Sequence, residues 1–279
     1  MNFDDDHFST IVIAWVVIIT ITLGVLLPYT VNAPTLPALF YKTVAERSGG
    51  AAIPPVSPGQ YPGNAAGLLV HYDFEDPSFM KSHMVADVSG NYQTAIPSGV
   101  FIGPAPGVIG NYAVSLPGTG YLYSEADPAA GRTNVSFSLW FTAPDQTHNY
   151  RLASAISQGT PRTGWIIGTR SSDLWDEEGR PVRVVAQARS AGSLPLAEWN
   201  HKVVVYNGSS VTEYFNGAVV SSYAASGEPL GTGRGMIIGS WQPFGQNYAG
   251  TIDDFRIYDR ALTGDEVALL WQQGSLTGY

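Results

Sequence analysis

The sequence predicts an all-β domain, a sandwich or barrel of short strands, carried behind one N-terminal apolar segment. Three observations lead there. From residue 67 onward, short alternating or apolar runs recur between Gly, Pro, Asn and Asp turns. Gly (31) and Pro (19) are abundant while charged residues make up 13% of the 279 residues, a balance that favours turns and strands over Glu- and Lys-rich helices. Finally, Phe8 to Tyr41 contains no charged residue at all.

Residues 1–10 are a short acidic terminus, followed by a transmembrane helix over 11–29. Its core, Ile11 to Leu27, is almost unbroken apolar sequence, and its flanks bring it to the roughly 20 residues that cross a bilayer. Val, Ile and Thr dominate it, yet in lipid the backbone must bond internally, so helix prevails. A cleaved signal peptide fits less well, because Asp4, Asp5 and Asp6 stand where a basic start belongs. Residues 30–66 form a Pro/Gly-rich linker in which 38–47 is a candidate interfacial helix, with Phe40 and Tyr41 on the membrane. Lys42 and Arg47 follow the helix and, by the positive-inside rule, favour a cytoplasmic C-terminal domain.

The domain spans 67–275. Strands are expected at 68–74, 112–116, 120–124, 135–142, 152–156, 164–169, 182–188, 199–206, 210–215, 218–223, 235–240 and 250–258. Asn207-Gly208 and Asn216-Gly217 are hairpin turns, since both residue types accept positive φ. Thr263 to Glu266 is a capping box ahead of Val267, Leu270 and Trp271, which predicts a short C-terminal helix. On the last strand, alternation groups Asp253 with Phe255 and Ile257 on the inward face and turns Asp254, Arg256 and Tyr258 outward.

These motifs, in the order LLVHYDFED with DVSGNYQT, VSFSLWF, WNHKVVVY with its Tyr-Phe-Asn-Gly hairpin, GMIIGSW and GTIDDFRIYDRAL, resemble the laminin-G-like, concanavalin A-like family over about 67–272. The resemblance implies a two-sheet antiparallel jelly-roll sandwich placed outside the cytoplasm, which overrides the hint from Lys42 and Arg47. It also implies a structural Ca²⁺ as candidate metal, at positions Asp73, Asp87 and Asp253.

Chemistry is sparse. Without cysteine there is no disulfide, thiolate or Cys-ligated metal. A net charge of −9 with no basic cluster excludes a nucleic-acid partner. The alternating acids of jelly-roll glycosidases are missing, and Asp173, Asp176, Glu177 and Glu178 read as a solvated loop between strands. His71, His83, His148 and His201 lack metal spacing, and His201 matches the family's strand histidine as a structural residue. No nucleophile elbow or nucleotide loop occurs, so no enzyme is expected. Aromatics remain. Trp165, Trp175, Trp241, Phe244 and Tyr248 fall near loops at sheet ends. Trp175, Trp241, Gln242, Phe244, Asn247 and Tyr248 are the candidate binding or interface residues.

The expected role is a non-catalytic accessory subunit. Its helix 11–29 sits in the lipid bilayer, and its domain, in the bacterial periplasm, docks on subunits of a larger membrane protein complex. That complex is expected to be bioenergetic, with a photosynthetic reaction centre or light-harvesting assembly as the specific expectation. The alternative is a membrane-tethered lectin with a glycan partner; a glycoside hydrolase ranks third.

Overall fold

The computed structural model describes residues 66–99, 102–145, 148–182, 195–241 and 247–275. The predicted anchor 11–29, the interfacial helix 38–47, nearly all of the linker and residues 183–188 of the expected 182–188 strand lie outside them. Among the described residues, no helix is long and apolar enough to cross a membrane.

The elements are β1 (Leu68–Tyr72), α1 (Phe79–Ser82), β2 (Ile96–Ser98), β3 (Gly103–Pro106), β4 (Tyr112–Pro117), β5 (Tyr121–Ser124), β6 (Val135–Thr142) and β7 (Arg151–Ile156). They continue with β8 (Gly164–Gly168), β9 (Ser172–Trp175), β10 (Trp199–Tyr206), β11 (Ser210–Phe215), β12 (Ala218–Ala224), β13 (Met236–Ile238), β14 (Ala249–Tyr258) and α2 (Gly264–Ser275). Among the described residues the strands form two antiparallel sheets packed as a sandwich. The eight-stranded sheet runs β12-β11-β10-β6-β14-β4-β3, with β1 also on β14, and the six-stranded sheet runs β2-β5-β13-β7-β8-β9.

Strand β6 shows how pattern becomes architecture. Its Phe137, Leu139 and Phe141 enter the core between the sheets with Val204 and Ile257, facing Leu152, Trp165, Ile167 and Ile238 of the other sheet. Each such side chain contributes about 1.5–3 kcal/mol by leaving water. The alternate residues Ser136, Ser138 and Trp140 face the other way and are buried too. Helix α2 covers that outer face: Val267 and Leu270 join Leu262, Val203, Val205 and Tyr258 in a second, smaller core. The capping box forms as predicted, with Thr263 N–H donating to Glu266 Oε2 at 2.8 Å and Glu266 N–H to Thr263 Oγ1 at 3.3 Å. The two hairpins form where Asn-Gly stands. Asn216 and Gly217 both take positive φ, 48° and 78°, between β11 and β12.

Three strands escape the sequence pattern: β2 (IPS), β3 (GPAP) and β9 (SDLW). All three are edge strands, and two carry prolines, which only an edge tolerates because proline lacks the ladder N–H. The acidic stretch beginning at Asp173 is correspondingly not a solvated loop throughout. Asp173 lies on β9, and Asp176 is 2% exposed, accepting from the Glu178 and Arg180 amides and pairing with Arg180 Nε at 2.7 Å.

The alternation expected for the last strand breaks. Strand β14 has a bulge between Asp253 and Arg256, and Asp254 adopts φ 50°. Asp253 lies opposite Trp140, on the outer face rather than the inward one. Asp254, Arg256 and Tyr258 are on the outer face as expected but are buried rather than solvated, because α2 closes over them. Asp254 Oδ1 there meets His71 Nε2 at 2.7 Å and Arg256 Nη2 at 2.8 Å. Burial alone would raise the Asp254 carboxyl, but Arg256 and His71 outweigh it and hold it well below the usual range.

Candidate binding site

The three aspartates expected to hold calcium each accept hydrogen bonds from backbone amides. Asp87 closes its own loop, accepting from the amides of His71, Ser89 and Gln93 at 2.9–3.0 Å. Asp73 accepts the Glu75 amide at 3.3 Å, and burial raises its carboxyl. Asp253 Oδ2 accepts the amides of Val108 and Ile109 at 2.8 and 3.0 Å, while its Oδ1 is buried without a hydrogen-bond partner. Among the described residues no group of three His, Asp or Glu side chains gathers in a way that could hold a metal ion.

The aromatic candidates separate. Gln242 and Phe244 lie outside the described residues. Tyr248 is not an exposed platform: it is fully buried in the main core, with its hydroxyl 2.5 Å from Thr142 O and 2.8 Å from Thr251 O. Trp165, expected beside a loop, is also core; it sits mid-sheet on β8 with Nε1 donating to Asp127 at 2.9 Å. Asn247 accepts from Ser240 Oγ at 2.6 Å and so braces the turn after β13. Trp175 and Trp241 remain at the surface, each partly exposed.

Those two indoles are joined by arginines that no sequence motif singles out. Arg162, from the β7–β8 loop, places its guanidinium carbon 4.9 Å from the centroid of the Trp241 ring and 5.6 Å from that of Trp175. Arg151, the first residue of β7, lies 5.3 Å from the centroid of the Trp241 ring. Four chain segments thus converge on one face of the six-stranded sheet, opposite the core. The cross-strand row Ser154, Ile166 and Asp173 runs beside them. Cation–π contacts of this kind are worth about 0.5–2 kcal/mol each.

Arg151 is the anomaly of this face. Its Nε and Nη1 are shielded from water and have no hydrogen-bond partner, a condition that costs about 1–3 kcal/mol for an ordinary buried donor. Burial lowers its pKa, Asp173 offsets part of that, and the nearby Arg162 lowers it again.

Arg151 also lines a half-open pocket of about 380 Å³, together with His148, Asn149 and Tyr150. The wall is fixed by hydrogen bonds. Asp145 Oδ2 receives Tyr150 OH at 2.5 Å and meets His148 Nδ1 at 2.8 Å. That bond, with burial behind it, raises the Tyr150 phenol. Asn149 Oδ1 accepts the Arg170 and Ser171 amides at 2.8 and 3.2 Å. The pocket is therefore lined by an imidazole and a phenol tied to Asp145, by an Asn149 amide tied to the 170–171 segment, and by the Arg151 guanidinium, which also lies beside the Trp241 ring. In the sequence His148 reads only as one of four histidines without metal spacing and Arg151 is not singled out, because the bulge at Arg151 has no sequence period.

Comparison with known proteins places this architecture. A family model described as the concanavalin A-like lectin/glucanases superfamily matches residues 116–268, more than half of the chain. The chain belongs to that superfamily. Solved structures agree on the fold. Domain 4 of an extracellular arabinanase from Geobacillus stearothermophilus, determined in complex with arabinotriose, is 23% identical, with a TM-score of 0.52 over 74% of this chain and 99% of that one. The binding domain of Paraclostridial Mosquitocidal Protein 1 is 17% identical, with a TM-score of 0.54 over 74% of this chain and 52% of that one. The receptor-binding domain of botulinum neurotoxin type G is 15% identical, with a TM-score of 0.52 over 74% and 51%. This chain spans about half the length of the two toxin chains. At these identities the likeness is one of fold, and function has to be argued from the site.

Proposed function

We propose that the domain is a non-catalytic carbohydrate-binding module, held outside the cytoplasm by the apolar segment 11–29. The observation that carries this reading is the pocket of about 380 Å³ at His148, Asn149, Tyr150 and Arg151, whose Arg151 guanidinium also lies 5.3 Å from the centroid of the Trp241 ring. Its His148 and Tyr150 side chains are held by Asp145 and its Asn149 side chain by the Arg170 and Ser171 amides, so little ordering of these three is left for binding to cost. The arabinotriose in complex with the similar arabinanase domain supports a saccharide as the ligand class. The uncharged stretch Phe8 to Tyr41 supports the tether. Docking on a bioenergetic or photosynthetic membrane complex, the role expected first from the sequence, draws no support from the similar structures. The test is a glycan array probed with full-length protein in mild detergent, followed by calorimetry on any hit. Binding that weakens at least about tenfold in Trp241→Ala, with an unchanged thermal melt, supports the reading. Retention of no saccharide by the wild-type protein overturns it.

A further inference from the structure

The charge of this face narrows the ligand, on the assumption that the carbohydrate-binding reading holds. Neutral sugars are commonly gripped by an aromatic ring whose face is free to lie against the pyranose. Here the Trp241 ring has two guanidiniums beside it, Arg151 at 5.3 Å and Arg162 at 4.9 Å, and Arg162 also lies 5.6 Å from the centroid of the Trp175 ring. What gathers on this face is therefore a pair of guanidiniums packed against indoles. Two of their donors, Nε and Nη1 of Arg151, find no acceptor in the protein although Arg151 lines the pocket.

Charge is consistent with an anionic ligand. Burial is the main cause that lowers the Arg151 pKa, Asp173 raises it, and the neighbouring Arg162 lowers it by less. Asp173 acts on Arg151 more strongly than Arg162 does, and Asp145 is engaged by His148 and Tyr150. The chain as a whole carries −9, so a pair of cations kept side by side stands out against its surface. A guanidinium matches a planar carboxylate or a sulfate with two parallel hydrogen bonds, a geometry that neutral hydroxyls do not reproduce.

We infer that the ligand is an acidic saccharide, whose carboxylate or sulfate is received by Arg151 with Arg162 as second cation, while its ring occupies the pocket at His148, Asn149 and Tyr150. Uronic acids and sulfated sugars share this anion chemistry, and the experiment separates them.

Full-length protein in mild detergent is titrated with an oligogalacturonate, with the same oligosaccharide after methyl esterification, and with a heparin-derived oligosaccharide. The expected result is binding of at least one acidic probe, loss of about tenfold or more on esterification, and weakening as salt rises. Binding to the oligogalacturonate alone identifies the carboxylate, and binding to heparin alone identifies the sulfate. Arg151→Gln should abolish the preference for acid over ester, and Arg151→Lys should restore part of it by keeping charge without the fork. Arg162→Gln, made separately, should weaken acidic probes more than neutral ones. Equal affinity for acid and ester, unchanged in Arg151→Gln, overturns the inference and leaves carbohydrate binding standing. Binding to none of these probes, with a neutral hit on the glycan array, also overturns it. Failure of every saccharide overturns both.

Discussion

Lys202 Nζ and Glu213 Oε2 meet at 2.9 Å with each side chain 3% exposed, in the space between the two sheets. The pair comes from β10 and β11, and the opposite sheet completes it: Lys202 Nζ donates to Gly168 O at 2.8 Å, and the Ser172 amide donates to Glu213 Oε1 at 3.3 Å. It is a polar bridge that joins the two sheets across the core. A buried ion pair adds little over well-packed apolar residues, but removing one partner strands the other charge. Lys202→Met should therefore cost about 3–5 kcal/mol, and Lys202→Met with Glu213→Leu should recover most of it. Denaturant unfolding followed by tryptophan fluorescence measures both. A double variant no more stable than Lys202→Met would show that the loss arises from packing, not from a stranded carboxylate.

Asp253 gives the fold an unusual pH profile. Burial raises its carboxyl to about 8, against which the Val108 and Ile109 amides pull only partly. Folded protein thus keeps a proton that the unfolded chain releases near the ordinary aspartate value. Stability from this group is complete below about 4 and falls as pH rises toward 8, by at most about 1.4 kcal/mol per unit. His201 runs the opposite way. It is buried against Trp140 and depressed to about 3, so the unfolded chain binds its proton first and stability falls as pH drops below about 6.5. The two oppose each other between about 4 and 6.5, and Asp253 acts without that opposition from 6.5 to 8. Asp253→Asn should flatten melting temperature against pH in that upper window. An unchanged slope would place the titration elsewhere.

The contrast between these groups and the strand pattern marks how far a sequence alone can be read. Two-sheet architecture, both Asn-Gly hairpins and the Thr263–Glu266 cap were legible because each rests on local chemistry that repeats or is confined to a few adjacent residues. The edge strands β2, β3 and β9 were missed because they are three or four residues long, and prolines in two of them erase the β signature. The bulge at Asp253 and Asp254 was invisible because strict alternation assumes that no residue is inserted. It falls where the neighbour of β14 changes from β4 to β1, a change only the tertiary fold defines. The candidate pocket was half legible. Trp175 and Trp241 were singled out as surface aromatics, but Arg151 and Arg162, far from Trp241 in sequence, reach it only through strand order.

Helix α2 seats on the outer face through one glycine. A Cβ on Gly274 would stand 2.4 Å from Trp140 Cζ2 and 2.7 Å from Cε2, inside contact with a rigid ring that is itself stacked on His201. Gly274→Ala should therefore destabilise by about 1–3 kcal/mol through overpacking, outweighing the roughly 1 kcal/mol that alanine gains over glycine in a helix. Gly264→Ala at the other end is the control, since the nearest atom to its Cβ is 4.0 Å away. That variant should be neutral or slightly stabilising. Equal effects at both positions would mean that α2 does not rest on Trp140.

Asp145 tests whether the pocket wall is built for a ligand or only for the fold. Its carboxylate holds Tyr150 and His148, yet the His148 side chain is 70% exposed and that of Asp145 33%, so the pair contributes at most about 1 kcal/mol to stability. Asp145→Asn should accordingly leave the melting temperature almost unchanged. Tyr150 should respond directly, because the bond to Asp145 is the largest cause of its raised pKa. Ultraviolet titration of Asp145→Asn against Asp145→Asn with Tyr150→Phe isolates that one phenol, and its midpoint should fall toward 10. Saccharide affinity should drop in the same variant, since the phenol and imidazole lose their common anchor. A shifted phenol with full affinity would mean that Tyr150 and His148 frame the pocket without touching what it holds.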